Sequence, residues 1–365
     1  MLYKTYGRTG KTVSAISFGG MRFRNPEDID GNAALVTYAH EQGINYFDTA
    51  PGYCADKSED IVGAALRQLP RRSFYIATKC GQPQGDDVRA SIERSLERLG
   101  VDTIDFFHIW CVRTPEGYEE RKRGGAVDAA LRAREEGLVQ HVVVSTHMRG
   151  DEIADMVADG IFEGVTLGYN AINFPFRSRG VEACGDAGVG VVTMNPLGGG
   201  LIPRHADRFD FIRGEQDPDV VTAAMRFNVS NPAITSALVG FGSREEIDAA
   251  VEAVTGFEPY PPDHLTRLRE HIEENFNDLC TGCGYCMPCE HGVEIAKLMD
   301  AYNHRMLNGN DRSVINRLKY HWGLEPADAE ACVSCGACEE LCTQGLPIVQ
   351  RLQELSELAE SSESS

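Results

Sequence analysis

Two hydrophobic periods alternate along residues 13 to about 255 of this chain. Short runs rich in Val, Ile and Phe are typical of buried strands, and the stretches between them repeat apolar residues every three or four positions, as amphipathic helices do. One such helical face carries Val88, Ile92 and Leu99. The strands predicted in this way are Val13–Phe18, Asn45–Asp48, Tyr75–Thr78, Thr103–Ile109, His141–Ser145, Gly164–Tyr169, Gly190–Met194 and Thr235–Val239.

Strands that alternate with helices through short connections form parallel sheets, and eight repeats over about 250 residues are the number that closes a (β/α)8 TIM barrel. The sequence therefore predicts an α/β fold built on a closed barrel. Tyr3–Tyr6 and Lys11–Thr12, joined through Gly7 and Gly10, predict a hairpin that plugs the barrel bottom. A doubly wound open sheet is the alternative, although no G-x-G-x-x-G follows the first strand.

A second region, near the C-terminus, is rich in cysteine. Eight of the 12 cysteines fall in two short runs, Cys280, Cys283, Cys286 and Cys289, and Cys332, Cys335, Cys338 and Cys342. Each run supplies four thiolates, the ligand count of a [4Fe–4S] cluster. Two structural zinc sites are the alternative, but zinc ribbons usually place roughly a dozen residues or more between their two Cys-x2-Cys halves.

The residues between the two cysteine runs have helical spacing, for example at Val314 and Leu318. A small α-helical ferredoxin-like domain is therefore predicted after the barrel. We place the barrel at residues 1–258, the cluster domain at 259–352, and a disordered acidic tail, rich in Glu and Ser, at 353–365.

Composition and charge narrow the choice of partners. A formal net charge of −20 argues against nucleic acid or an anionic membrane as a partner, because phosphate groups would be repelled. The chain has no apolar run near 18 residues, and its first residues lack the apolar segment of a signal peptide. Exposed clusters and four further cysteines, Cys54, Cys80, Cys111 and Cys184, fit a reducing compartment better than an oxidising one. We therefore expect a cytoplasmic protein with a small-molecule substrate.

Active sites of such barrels form at the C-terminal ends of the strands. The segment Phe47 to Tyr53, followed by Ser58-Glu59 and Gly63 to Leu66, resembles the Asp-Thr-Ala…Tyr…Ser-Glu…Gly-x-Ala-Leu signature of the aldo-keto reductases. Ala77-Thr78-Lys79 is similar to the family's Thr-Lys. The likeness covers the barrel. The C-terminal cysteine runs resemble those of the branch of that family that carries two clusters.

The resemblance implies a catalytic set of Asp48, Tyr53 and Lys79. Reduction of a carbonyl by hydride leaves an alkoxide that must be protonated, and a tyrosine serves as the acid when its pKa of about 10 is brought nearer neutrality. A Lys79 ammonium would lower the pKa of Tyr53, and Asp48 would hold the ammonium in place.

One family position differs. The family's histidine at the end of the fourth strand aligns with Trp110, and His108 lies two residues earlier, roughly 7 Å deeper on the same face. An indole N–H donates a hydrogen bond but does not transfer a proton usefully. His108 either compensates or is a bonded core residue. Since family members without this histidine can reduce a C=C bond, both reactions stay open.

A nucleotide site is expected after the eighth strand. Ser243 and the glutamate three residues later form a capping box that opens a helix, with Gly240 and Arg244 beside it. A helix N-terminus suits a phosphate, and Arg244 resembles the family's partner for the 2′-phosphate of NADP(H). Ser145 and Asn170 are candidate contacts to the nicotinamide amide, and Met194 takes the place of the family's stacking aromatic residue.

The cysteine runs also resemble two-cluster ferredoxins, in which the fourth cysteine of each run binds the other cluster. That resemblance implies one set of Cys280, Cys283, Cys286 and Cys342, and a second of Cys332, Cys335, Cys338 and Cys289.

A cluster passes one electron at a time, whereas a nicotinamide transfers a hydride. Three hypotheses follow: a reductase whose clusters relay electrons from a redox-partner protein, directly or through a flavin; an NADP(H)-dependent carbonyl reductase with structural or sensing clusters; and a non-catalytic electron-transfer or assembly subunit.

Overall fold

The computed structural model describes residues 1–275, 279–280 and 282–363. Its contacts divide the chain into two compact units, Met1–Leu197 with Ile212–Leu265, and Gly198–Phe211 with Thr266 onward. The strands are β1 (Tyr3–Thr5), β2 (Thr12–Ser14), β3 (Ile16–Gly19), β4 (Tyr46–Asp48), β5 (Tyr75–Cys80), β6 (Ile104–Val112), β7 (Val139–Thr146), β8 (Gly164–Gly168), β9 (Gly190–Met194) and β10 (Ile234–Val239).

The helices alternate with the strands through the first unit and continue alone in the second. They are α1 (Ile29–Glu41), α2 (Tyr53–Asp56), α3 (Ser58–Leu66), α4 (Gly85–Leu99), α5 (Pro115–Arg123), α6 (Ala126–Glu135), α7 (Gly150–Ala158), α8 (Ser178–Asp186), α9 (Leu201–Arg204), α10 (Val220–Ser230), α11 (Arg244–Ala253), α12 (Pro262–Asn275), α13 (Ile295–Asn308), α14 (Asp311–Arg317), α15 (Ala337–Glu340) and α16 (Ile348–Glu363). A π turn, Leu318–Trp322, follows α14.

The first unit is a closed parallel barrel. Strand order is β10-β3-β4-β5-β6-β7-β8-β9, and β10 pairs with both β9 and β3, which closes the sheet. The predicted (β/α)8 barrel is thereby confirmed, and the open-sheet alternative is wrong. Each predicted strand overlaps an observed one, although the first is interrupted at Ala15, where β2 ends and β3 begins.

The predicted hairpin at the barrel bottom is also confirmed. β1 pairs antiparallel with β2, and Tyr6, which follows β1, is fully buried with its ring centroid 4.4 Å from that of Phe106. A Cβ atom at Gly164 or Gly190, where β8 and β9 begin, would collide with the Tyr6 ring. Glycine at these two positions therefore makes room for the plug.

The second unit has its own helical core. Leu298, Val314, Leu318 and Leu355 are each fully buried in one cluster, to which α13, α14 and α16 contribute. The segment Gly198–Phe211, which follows β9 in the chain, belongs to this unit: the rings of His205 and His304 meet with centroids 4.8 Å apart.

Two domain limits differ from the sequence prediction. The chain stays with the barrel past residue 258, because the backbone N–H of Tyr260 donates to Ser230 at 3.1 Å. Residues 353–363, predicted from the sequence to be part of a disordered tail, continue α16 in the structure. Leu355 of that helix is buried, and Glu354 accepts a 3.0 Å bond from Arg305. Ser364 and Ser365 lie outside the described residues.

Candidate functional site

A buried ion pair lies at the C-terminal ends of β4 and β5. The Nζ of Lys79 donates to Asp48 Oδ1 at 2.5 Å and to the carbonyl of Thr49 at 2.7 Å. Both charged side chains are 2% exposed. Burial lowers the pKa of Lys79 and raises the pKa of Asp48, and the attraction between the two groups opposes both shifts.

Tyr53 lies beside this pair. The Lys79 Nζ is 5.2 Å from the centroid of the Tyr53 ring, and the indole of Trp110 packs edge-on against the same ring with centroids 5.5 Å apart. The structure therefore brings together Asp48, Tyr53, Lys79 and Trp110, from the ends of three neighbouring strands.

The turn that carries Tyr53 has an unusual backbone. Cys54, Ala55 and Asp56 all have a positive φ, of 55°, 54° and 65°. Such conformations cost about 1–2 kcal/mol per residue unless their surroundings hold them. Arg98 of α4 holds this turn, since it donates to the Asp56 carboxylate at 2.9 Å and to its carbonyl oxygen. The N–H of Gly52 donates to the same carboxylate at 2.8 Å.

The bonds from Arg98 to this turn form a clamp, and Glu59 connects this Arg98 clamp to β5. Its side chain is 1% exposed and accepts from the Thr78 hydroxyl at 2.7 Å and from Arg98 at 3.3 Å. Thr78 precedes Lys79, so a continuous set of bonds runs from the lysine strand to the turn behind Tyr53. Ser58-Glu59 is part of the sequence signature, but no local pattern assigns Glu59 this role or points to Arg98.

His108 is a bonded residue of the barrel interior. It is fully buried, with Nδ1 3.3 Å from the Thr78 carbonyl and Nε2 2.9 Å from the Thr166 hydroxyl. Burial, with the Lys79 charge in addition, holds its pKa well below the ordinary value, so the ring is neutral. The structure thus engages His108 with Thr78 and Thr166 rather than with Tyr53, which favours the bonded-core alternative over compensation for the missing histidine.

Trp110 owes its position to an irregularity in β6. The register with β7 shifts between Ile109 and Val112, and Cys111 has a φ of 57°. A bulge of this kind bends a strand and redirects a side chain. The simple alternation assumed for His108 and Trp110 ends here.

The three residues expected near a nicotinamide lie at the ends of β7, β8 and β9. Ser145 is 2% exposed and lies one residue before the end of β7, and Met194 ends β9. Asn170 is fully buried; its Oδ1 accepts from the Ile172 N–H and its Nδ2 donates to the Asn195 carbonyl, each at 3.0 Å. Asn170 therefore braces two rim loops.

The predicted nucleotide site has a capped helix and an exposed cation. Ser243 caps α11 by accepting from the Glu246 N–H at 3.4 Å, while the Glu246 carboxylate accepts from Gly242 at 2.7 Å and pairs with Arg24 at 2.6 Å. Arg244 is exposed, and its guanidinium lies 4.7 Å from the centroid of the Tyr38 ring. Within the described residues Arg244 has no carboxylate partner. Gly240 is exposed beside it.

In the second unit, four thiols line one small enclosed cavity, those of Cys280, Cys283, Cys286 and Cys342. Backbone N–H groups point at two of these sulfurs, Gly282 at Cys280 and Leu346 at Cys342, each at 3.4 Å. The hydroxyl of Thr343, where ferredoxins have proline, lies 3.4 Å from the Cys283 sulfur. In the described part of the chain, no three His, Cys, Asp or Glu side chains gather around a point that one metal ion could fill.

A [4Fe–4S] cluster needs a different arrangement of ligands from a single metal ion, because its four thiolates bind four separate irons. A cavity lined by four sulfurs, with backbone N–H groups that donate to two of them, fits such a cluster. Burial raises the pKa of the Cys280 and Cys286 thiols to about 12, so their thiolate forms need a cation beside them.

Three of the other four cysteines belong to the same helical core. Cys338 is 9% exposed, Cys289 and Cys332 pack partly buried against this core, and Cys335 is exposed. The Ser334 N–H lies 3.4 Å from the Cys332 sulfur. Burial raises the pKa of Cys338 to about 11, and Glu339 and Cys332 add to that shift.

Comparison with known proteins assigns both units. The model of the aldo/keto reductase family matches residues 15–273. The chain belongs to the aldo/keto reductase family. A 4Fe-4S dicluster domain model matches residues 279–346, so this aldo/keto reductase carries an iron–sulfur domain after its barrel. Both family assignments made from the sequence are confirmed.

Relatives of this aldo/keto reductase include proteins named as a dehydrogenase and a reductase. It is 29% identical over 294 residues to L-galactose dehydrogenase of Arabidopsis thaliana, covering 72% of this chain and 91% of that one. It is 29% identical over 232 residues to the NADH-specific methylglyoxal reductase of Escherichia coli K12, covering 58% and 69%. The holo form of aldo-keto reductase AKR11C1 from Bacillus halodurans matches with a TM-score of 0.64 at 21% identity, over 74% of this chain and 96% of that chain, which shows the shared fold.

The described residues include no helix that is both long enough and apolar enough to span a membrane.

Proposed function

We propose that this aldo/keto reductase reduces a small carbonyl compound at the barrel rim with a nicotinamide cofactor, and that Tyr53 donates the proton. The observation that carries the proposal is the buried Lys79 ammonium, paired with Asp48 and 5.2 Å from the Tyr53 ring centroid. The cofactor, when bound, supplies the hydride. Tyr53 gives its hydroxyl proton to the oxygen that becomes an alcohol, and the Lys79 charge stabilises the tyrosinate left behind.

The cofactor we propose is NADP(H). The exposed Arg244, which has no carboxylate partner within the described residues, is available to a 2′-phosphate, and the N-terminus of α11 offers N–H groups to the adjoining phosphate. Glu246 would have to release the Gly242 N–H for this contact. Ser145 and Met194 are proposed to contact the nicotinamide end.

An activated C=C bond is a second candidate substrate. Trp110 takes the place of the family's histidine, and His108 is neutral and bonded to Thr166, so neither residue supplies a proton to a carbonyl oxygen. Tyr53 alone would then protonate either an alkoxide oxygen or the carbon of an enolate.

For the second unit we propose two [4Fe–4S] clusters. One is held by Cys280, Cys283, Cys286 and Cys342, which line a common cavity, and the other by Cys332, Cys335, Cys338 and Cys289. When bound, they pass single electrons, which a redox-partner protein would supply or accept. We propose a cytoplasmic location, because thiolate-bound clusters and free thiols fit a reducing compartment. A bound flavin remains part of this relay hypothesis.

The test uses full-length protein purified without oxygen, and it compares the native chain with Tyr53→Phe. NADPH oxidation is followed with a panel of small aldehydes, ketones and enones, and cluster absorbance is recorded for each preparation. We expect Tyr53→Phe to lose activity by roughly 100-fold or more while its clusters stay intact. Equal rates in both proteins, or none in either, would favour an electron-transfer or assembly subunit without catalysis.

A further inference from the structure

Three arginines lie on one side of the barrel rim, at the ends of β6, β7 and β8. Arg121 of α5 folds back to donate to the carbonyls of Gly81 and Trp110, at 3.2 and 3.3 Å. Arg113 directly follows Val112, the last residue of β6. Arg177, fully buried, donates to the carbonyls of His147 and Gly168 at 3.0 and 3.1 Å, which joins the ends of β7 and β8.

Acidic side chains are missing from the same loops. Residues 110–114, 147–149 and 169–177 contain no Asp or Glu, although the chain has 55 acidic and 35 basic residues. Arg113 and Arg121 make no ion pair within the described residues. The three loops themselves are therefore positively charged in a protein whose net charge is strongly negative, although α5 also carries Glu116, Glu119 and Glu120.

The arginines are close enough to disfavour positive charge on their neighbours. Burial lowers the pKa of His147 to about 3, and Arg177 and Arg113 add to that shift. Burial also lowers the pKa of Arg121, where Arg113 acts in the same sense and Cys111 and Glu120 oppose it. Arg113 and Arg121 are like charges that make no ion pair within the described residues, which costs free energy, and a negatively charged ligand removes that cost.

Arg113 and Arg121, which follow β6, are separated from the proposed 2′-phosphate site. In the closed barrel β6 lies across from β10, which leads into α11, so the cofactor's 2′-phosphate does not account for them. They are instead next to the proposed proton donor, because Trp110, whose carbonyl accepts from Arg121, packs its ring against Tyr53.

We propose that the substrate carries a carboxylate in addition to its reducible carbonyl, and that Arg113 binds this carboxylate in the field of the fixed Arg121. The inference rests on the proposed function and adds its substrate class, a small oxo acid. Arg121 is anchored by carbonyls and supplies a fixed charge, whereas Arg113 is exposed, makes no hydrogen bond or ion pair within the described residues, and can move onto the ligand.

The test compares 4-oxobutanoate with its methyl ester, which has the same aldehyde and chain but no charge. Full-length native protein, Arg113→Gln and Arg123→Gln are assayed with NADPH at low and high NaCl. Arg123 is the matched control because it is exposed on the same α5, makes no ion pair within the described residues and loses the same charge. We expect Arg113→Gln to lower kcat/KM for the acid by about fivefold to tenfold, to leave the ester unchanged, and to remove most of the salt dependence.

Equal loss for acid and ester, or equal effects of the two substitutions, would overturn the carboxylate assignment and leave the reductase proposal standing. If native protein reduces neither compound, the result counts against the reductase proposal. The carboxylate assignment is then tested separately, by ligand binding. Calorimetric titration with succinate should then show weaker binding to Arg113→Gln than to Arg123→Gln. No binding to native protein, or equal binding to both variants, would refute it.

Discussion

The pH dependence of catalysis offers the sharpest test of the Asp48, Tyr53 and Lys79 arrangement. With the ammonium about 5 Å from the Tyr53 ring, its attraction for a tyrosinate is about 3 kcal/mol at an effective dielectric constant of about 20. Loss of that attraction corresponds to a rise of about 2 units in the pKa of the catalytic acid. Lys79→Met should therefore move the alkaline limb of the kcat/KM profile upward by about 2 pH units and lower turnover at neutral pH by roughly 100-fold.

A single substitution also leaves Asp48 buried without its cation, which can cost about 3–5 kcal/mol of stability. The double variant Asp48→Asn/Lys79→Met removes both charges and should recover much of that stability. Its profile should show the same alkaline displacement, because the ammonium is absent in both variants. Lys79→Arg keeps a charge and should keep the limb near its native position.

The assay is steady-state kinetics from pH 5 to 11, with thermal unfolding of each variant at neutral pH as the check on folding. A folded Lys79→Met, or a folded double variant, whose pH profile coincides with that of the native protein would refute the assigned roles. So would a profile displaced to the same extent in Lys79→Arg.

Three other outcomes are expected. Arg244→Ala should weaken NADPH binding by about tenfold and leave NADH binding unchanged in fluorescence titrations, since only NADPH has the 2′-phosphate. Glu59→Gln should lower stability by about 2–3 kcal/mol in urea unfolding and reduce kcat, because it weakens the charge that holds Arg98; unchanged values would contradict the clamp. Cys342→Ser should reduce anaerobic iron content from about eight to about four atoms per chain, whereas Cys184→Ser, a buried barrel thiol, should retain about eight.

The barrel could be predicted because its signal is local and repeated. Each strand of the sheet is buried on both faces, so its sequence is a short run of apolar residues. Each helix is buried on one face, so its apolar residues recur with a period of 3.6. The cluster domain could be predicted for a related reason, since ligand cysteines such as Cys280 and Cys283 lie close in sequence. Asp48 and Lys79 follow from the same logic, because parallel strands end on one edge.

Some of the site could not be predicted because its geometry departs from ideal strands. A regular strand would place His108 and Trp110 on one face, but the bulge at Cys111 separates their surroundings. His108 faces Thr166, which is 58 residues away in the chain, and no local pattern reports that contact. The Arg98 clamp was equally hidden, because Asp56 lies 42 residues from it.

The sequence by itself determined the two-part architecture, the reductase family and the two runs of four cysteines, because each depends on spacing along the chain. It also determined the ion pair beside Tyr53, because the ends of neighbouring parallel strands must meet. Tertiary structure alone decided that the Gly198–Phe211 segment belongs to the helical unit, that α16 extends to Glu363, and that Arg113, Arg121 and Arg177 lie at the ends of three neighbouring strands. These features depend on which distant segments pack together, and burial and charge act through space rather than along the sequence.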